Sequence, residues 1–214
     1  VLTSHSSLLE ENLPLEKIKQ YDFVIFAYTH RSEKGDKSLS IHAPGNWREA
    51  KLGGQPQKVS PSSALFQKAL FEKLNDVAKK YELDQKYKIT MEVTDHGPLI
   101  EKPCVFIEIG SSEEDWADRR AGFVVAKTIF ETINEFKENP YREVAIAIGG
   151  PHYCPSFNDL QLKSNIAISH IIPNYVAPIT EDMIREAISK TQEEVDFAII
   201  DWKGLGAAEE RQKV

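Results

Sequence analysis

Apolar residues along this chain follow two rhythms in turn. One is continuous or of period two, and the other is close to 3.6. Phe23-Val24-Ile25-Phe26-Ala27-Tyr28 is an unbroken apolar run, the form of a strand covered on both faces. Ser38 to His42 predicts a short second strand, followed by a loop with Gly53-Gly54 and Pro56 as breakers. Ser60-Pro61 is expected to open a long helix, with serine as cap and proline at the first position. Phe66, Leu70, Leu74, Val77 and Tyr81 repeat at helical spacing through it. From Tyr87 to Thr94 the pattern alternates: Tyr87, Ile89, Met91 and Val93 point one way, and Lys88, Thr90, Glu92 and Thr94 the other. Val105 to Gly110 predicts a further strand. Ser111-Ser112-Glu113-Glu114 then reads as a capping box, Ser111 bonding forward and Glu114 reaching back. The helix behind it carries Phe123, Ala126, Phe130, Ile133 and Phe136 on one stripe. Val144 to Ile148 has the composition of a central buried strand, while Ile166 to Ile172 fits strand or helix. Thr180 caps a helix to about Lys190, Val195 to Trp202 is a last strand, and Ala207 to Val214 is helix-like.

Strands alternating with long helices predict an α/β fold: a three-layer α/β/α sandwich around a mixed, mostly parallel sheet. No internal repeat or low-complexity linker divides the chain, so a single α/β catalytic domain over residues 1–214 is expected. Because the chain starts at Val1 and stops within a helix-like run, elements are expected to be missing at both termini.

Composition narrows the function. No apolar run approaches the ~20 residues of a membrane helix, and no basic-then-apolar leader opens the chain. Cys104 and Cys154 have no CxxC spacing, which leaves a cytoplasmic setting as the default. The net charge of −7 argues against nonspecific coating of nucleic acid. Locally the balance reverses. Arg31, Lys34, Lys37, Arg48, Lys51 and Lys58 face only Glu33, Asp36 and Glu49 in the same stretch, which is either a solvated loop or a basic surface.

Four of the six histidines sit in Gly/Pro-punctuated segments: His42-Ala43-Pro44-Gly45-Asn46-Trp47, Thr94-Asp95-His96-Gly97-Pro98, Gly149-Gly150-Pro151-His152-Tyr153-Cys154-Pro155 and Ser169-His170-Ile171-Ile172-Pro173. Such turns hold side chains rigidly where strands end, the usual place for an α/β active site. A lone turn histidine more often braces a carbonyl. Four in one context point to at least two sharing a pocket. Imidazole is a zinc ligand and a general base near neutral pH. His42, His96 and His152 are therefore metal-ligand candidates, and His96, His152, Glu92 and Glu108 are catalytic candidates. No spacing matches HExxH. His5 and His30 read as surface residues. Cys154 is either a nucleophile or, more commonly, a buried thiol. Trp47 could stack on a base or pin its turn to the core. Gly149-Gly150 resembles a phosphate-cradling turn only loosely.

Taken jointly, several of these segments resemble one family. The His42 to Trp47 run, the Thr94 to Pro98 turn, Phe106-Ile107-Glu108-Ile109-Gly110-Ser111-Ser112-Glu113-Glu114, the Gly149 to Pro155 turn and Asp201-Trp202-Lys203-Gly204 are similar to the archaeal and plant type of D-aminoacyl-tRNA deacylase. The likeness runs from about Tyr21 to the end. It implies hydrolysis of the ester between a D-amino acid and the 3′ end of tRNA, with Zn²⁺ as cofactor. It also implies a fold like those of peptidyl-tRNA hydrolases and nucleoside phosphorylases, with a further α/β unit at the N-terminus. Pro151 stands where another glycine is more usual, which stiffens the backbone beside His152. With tRNA as partner, His42, Gly45, Asn46, Trp47, Gly97, Pro98, Gly149 and Gly150 become candidates for contact with the aminoacylated end. Lys51 and Lys203, with the rest of the Arg31–Lys58 stretch, become candidates for its phosphates. No membrane and no protein partner is indicated. Two other readings are a hydrolase or phosphorylase of a small nucleoside or peptide derivative, and a non-catalytic protein that clamps the tRNA acceptor end.

Overall fold

The computed structural model describes residue 13 and residues 15–32, 34–139, 142–206 and 208–211. The predicted rhythms become, in order, α1 (Leu15–Ile18), β1 (Val24–Arg31), β2 (Ser38–His42), β3 (Gly45–Asn46), β4 (Lys58–Val59), α2 (Ala64–Lys80), β5 (Lys88–Met91) and β6 (Cys104–Ser111). The chain continues through α3 (Glu113–Trp116), α4 (Arg119–Glu135), β7 (Glu143–Ile148), α5 (Pro155–Lys163), β8 (Ile166–Ile172), α6 (Glu181–Ser189), β9 (Phe197–Ile200) and α7 (Ala208–Arg211). A 3₁₀ turn, Asn174–Val176, follows β8. His5, Ala207 and residues 212–214 lie outside the described residues.

The strands form a four-stranded sheet ordered β1-β6-β2-β5 and a three-stranded sheet ordered β8-β7-β9, with β3 and β4 paired beside them. Pairing is parallel for β1/β6, β2/β5, β7/β8 and β7/β9, and antiparallel for β2/β6 and β3/β4. The fold is thus the expected α/β type with a mixed, mostly parallel arrangement. Residues Glu92–Asp95 link the two sheets. Glu92 N donates to Ile41 O at 2.9 Å on one side, and Val93 N and Thr94 N donate to His152 O and Ile171 O on the other, at 2.9 and 3.1 Å.

One apolar core runs behind both sheets. Leu39 and Ile41 of β2, Val105 and Ile107 of β6, Ala147 of β7 and Ile168 of β8 pack with Leu70, Phe71, Leu74 and Val77 of α2. The other face of β7, Ile146 and Ile148, packs against Met183 and Ala187 of α6. At β7 and β8 the second sheet is therefore covered on both faces, as their continuous apolar runs require, while β9 at its edge is largely exposed. On the first sheet only part of the second face is apolar, where Phe26, Cys104, Phe106, Ile18 and Ile100 cluster.

Some element boundaries differ from the sequence expectation. The long helix starts at Ala64 with Ser63 as its cap, not at Ser60-Pro61. Ser60 Oγ is used instead to bridge Pro98 O and Ile100 N, at 2.9 Å each, and Pro61 O accepts from Cys104 N. The capping box is real but lies one residue later, between Ser112 and Asp115. The α4 stripe is reversed. Phe123, Phe130 and Ile133 are 50, 68 and 58% exposed, and Ala121, Val124, Val125, Thr128 and Thr132 face inward. The helix lies close to α2 and β6, and small or β-branched side chains fill that narrow gap.

Candidate active site

Strand alternation builds this site. Register pairs Tyr28 with Glu108, His30 with Gly110, Ser40 with Glu108 and with Thr90, and His42 with Phe106. His30, Glu108, Ser40, His42, Thr90 and Glu92 thus share one face of the first sheet, since side chains repeat every second residue. The polar side of the Tyr87–Thr94 alternation does not face solvent: Thr90, Glu92 and Thr94 are buried.

Two carboxylates form its centre. Glu108 is fully buried, and Glu92 is 2% exposed. His30 Nδ1 lies 3.4 Å from Glu92 Oε1 and 3.4 Å from Glu108 Oε2. Glu108 also faces His42 Nε2 at 3.7 Å and His96 Nε2 at 3.8 Å. Glu92 Oε2 meets His152 Nε2 at 3.0 Å, and His152 Nδ1 lies 3.9 Å from Asp95 Oδ2. Three of the imidazoles have their outward nitrogen engaged. His42 Nδ1 faces Ala43 O at 3.1 Å, and His96 Nδ1 faces Gly97 O at 2.7 Å. Carbonyls only accept, so those nitrogens carry the protons and each Nε2 is turned inward. His30 Nε2 lies 3.0 Å from the Tyr153 hydroxyl, which leaves its Nδ1 for the carboxylates.

Electrostatics follow from this crowding. Burial raises the Glu108 pKa, but facing His30 and His42 outweighs it, and the carboxyl is held below its usual range. Glu92 is likewise lowered, with His152 overcoming burial. Burial pulls His42 down, yet Glu108, Glu92 and Asp95 raise it to about 9. His96, further from compensation, is lowered by burial and by its neighbour His42. Glu92 Oε1, both Glu108 oxygens and His42 Nε2 are buried without a hydrogen-bond partner. A native interior rarely tolerates four such atoms together, since each costs about 1–3 kcal/mol. Their ligand atoms form two groups, His30–Glu92–His152 and His42–His96–Glu108, each within 4.8 Å and each with the donors a cation needs.

The candidates from sequence divide as follows. His42, His96, His152, Glu92 and Glu108 converge on one cluster, but over the face of the sheet and not only at strand ends. His30, expected at the surface, is among them. Its signal was the alternation of β1, which puts it on the face of Phe26 and Tyr28. Tyr153 went unnoticed beside His152. His170 is separate: it is buried in β8, with Thr94 Oγ1 at 3.2 Å and Lys190 O at 3.4 Å. Trp47 is no base-stacking platform. It is 3% exposed, donates from Nε1 to Ile171 O, and pins its turn to the core. Cys154 is no nucleophile, because it is 1% exposed and burial pushes its thiol well up.

The glycines brace the site. A Cβ on Gly45 would lie 2.4 Å from Val59, and one on Gly97 would lie 2.4 Å from the backbone of Gly53 and Gly54. Asn46 Nδ2 donates to Gly53 O, and Gly45 N donates to the carbonyls of Asp95 and His96. Pro98 O is held by Ser60. Gly149 and Gly150, at φ +102 and +81, pack on Asp201 and cradle no phosphate by that contact. Lys203 and Lys51 are exposed, Lys51 beside Glu49 at 3.2 Å.

Two ionised carboxylates held out of water beside four imidazole nitrogens serve no packing purpose. On an α/β scaffold they mark an enzyme. The family model for D-aminoacyl-tRNA deacylase matches residues 17–214. A D-aminoacyl-tRNA deacylase of Methanocaldococcus jannaschii is 36% identical over 210 residues, covering 95% of this chain and 81% of that one. One of Pyrococcus furiosus is 38% identical over 192 residues, covering 88% and 67%. The crystal structure of a conserved protein of unknown function superposes with a TM-score of 0.82 at 30% identity, over 92% of this chain and 69% of that one. The chain belongs to the D-aminoacyl-tRNA deacylase family. Among the described residues no helix is long and apolar enough to cross a membrane.

Proposed function

We propose that this chain hydrolyses the ester joining a D-amino acid to the 3′ end of tRNA and releases both, in the cytoplasm where tRNA is used. The observation that carries the reading is the pair of buried carboxylates with unsatisfied oxygens, each facing at least two imidazoles, in a chain of this family. Zinc suits those orphaned atoms. His42, His96 and Glu108 would hold one ion, and His30, Glu92 and His152 a second. Two imidazoles and a carboxylate are a donor set of catalytic zinc. Zinc bound there would lower the pKa of water to roughly 7 and so supply a hydrolytic nucleophile.

The protein's own part is to position and to hold protons. Ala43 O and Gly97 O fix the tautomers of His42 and His96. His152, with its side chain 32% exposed, stands at the mouth between Glu92 and Asp95. With its Nε2 on that second ion, its Nδ1–H would be left on the Asp95 side to donate a hydrogen bond to the entering ester. Gly97, packed flat on Gly53-Gly54, gives the turn at His96 a wall that cannot yield, which suits rejection of an L side chain.

Paired D- and L-aminoacyl-tRNA, incubated with the protein before and after chelation and after zinc is restored, test this. Hydrolysis of the D ester only, lost with chelator and regained with zinc, is expected. D turnover that survives chelation removes the zinc. Tight tRNA binding without turnover, or equal turnover of free D-amino-acid esters, removes the deacylase reading.

A further inference from the structure

Beside the cluster lies a groove of about 570 Å³ lined by Arg48, Glu49, Lys51, Pro56, Gln57, Tyr175 and Val176. Its aromatic wall, Tyr175, is 59% exposed. Two contacts fix the backbone on either side of it. Arg48 forks onto Val176 O, from Nε at 3.0 Å and Nη2 at 2.8 Å. Asn174 N donates to Gly150 O at 3.1 Å, two residues before His152. Burial, and then the charges of Asp95 and Glu92, raise the Tyr175 phenol. An exposed aromatic ring on a braced backbone in a polar groove is a platform for a flat ligand.

The lining selects the ligand. Only Pro56, Tyr175 and Val176 are apolar, so an aliphatic side chain of the amino acid would gain little there. A nucleobase has a π-face for Tyr175 and polar edges for Glu49 and Gln57. Lys51, whose partner among the described residues is the exposed Glu49, stands at the rim where a phosphate would follow. We propose that this groove takes the base of the 3′-terminal nucleotide of tRNA, stacked on Tyr175, with Lys51 on the adjoining phosphate. The proposal rests on the deacylase reading and names where its substrate is gripped.

Uncharged tRNA carrying 2-aminopurine as its last base is the probe. On binding wild-type protein its fluorescence should be quenched by stacking. Tyr175→Ala should lose most of that quenching and weaken binding by about 5- to 100-fold. Tyr175→Phe should keep both, because it keeps the ring. Unchanged quenching and affinity in Tyr175→Ala would overturn the proposal. So would a KM defect that follows the size of the D-amino acid, since the groove would then hold the side chain. Uncharged tRNA needs no turnover, so quenching remains readable if the deacylase reading itself fails.

Discussion

Glu108 carries more of the site than any single histidine, because it faces His30, His42 and His96 at once. Glu108→Gln keeps the volume and removes the charge that balances those imidazoles. Zinc affinity and turnover should both fall, turnover by at least about a hundredfold, the scale of a positioned acid or base. His30→Ala should do the same, although sequence alone assigned His30 to the surface. Titration with zinc and single-turnover assays check both, and a His30→Ala enzyme of full activity would return that residue to a bracing role. His170 gives a prediction of a different kind. Thr94 Oγ1 accepts from Ile171 N and donates to His170 Nδ1, while Nε2 donates to Lys190 O. Every partner is matched to the neutral ring, and burial lowers its pKa to about 4 despite the Lys190 carbonyl. The unfolded imidazole titrates near 6.5, so the folded state binds fewer protons between those values. The stability from a neutral His170 is complete above pH 6.5 and is lost as pH falls toward 4, by about 3 kcal/mol at most. Urea midpoints of wild type and His170→Gln should therefore converge as pH drops from 7 to 4, and parallel curves would refute the assignment.

At the level of elements, periodicity showed which segments were strands and helices but not what each face would meet. The strand from Tyr87 shows why. Its alternation was legible, yet polar residues on one face usually mean solvent, and only its pairing with β2, which in turn pairs with β6, puts Glu92 on the face of Glu108 and His30. The same limit hid His30, which follows the apolar run of β1 where only the parity of Phe26 and Tyr28 marks its face. The helix α4 errs in the opposite sense. Phe123, Phe130 and Ile133 form a stripe that looks like core, while Val124, Val125 and Thr128 do the packing. Exposed positions away from special features change stability by about 0.5 kcal/mol or less. Phe130→Ser should therefore leave the urea midpoint nearly unchanged. Val124→Ala, at a fully buried site, should cost about 1–3 kcal/mol. Reversed sensitivities would mean that α4 packs by its aromatic stripe after all.

For the whole molecule, charge sets the terms on which tRNA is held. A chain of net charge −7 cannot grip a polyanion by its average field, so a few unpaired cations must do so. The locally basic stretch from Arg31 to Lys58 offers fewer than its count suggests. Lys37 is spent on Asp115 at 2.6 Å, Lys58 on Glu186 at 3.0 Å, Arg48 on the carbonyls of Val176 and Pro178, and Arg31 lies over the ring of Trp116. Lys51 differs, because its one partner among the described residues is a carboxylate as exposed as itself, and such a pair is worth little against a phosphate. The two lysines should separate in a salt titration of tRNA binding. Lys51→Glu should weaken affinity and reduce the slope of log K against log salt by about one, the signature of one lost phosphate contact. Lys58→Glu should leave that slope alone and act instead on stability, by placing a second carboxylate against Glu186. A slope left unchanged by Lys51→Glu would move the tRNA path away from the groove beside Tyr175. A reduced slope for Lys58→Glu would mean that its bond to Glu186 opens when tRNA arrives.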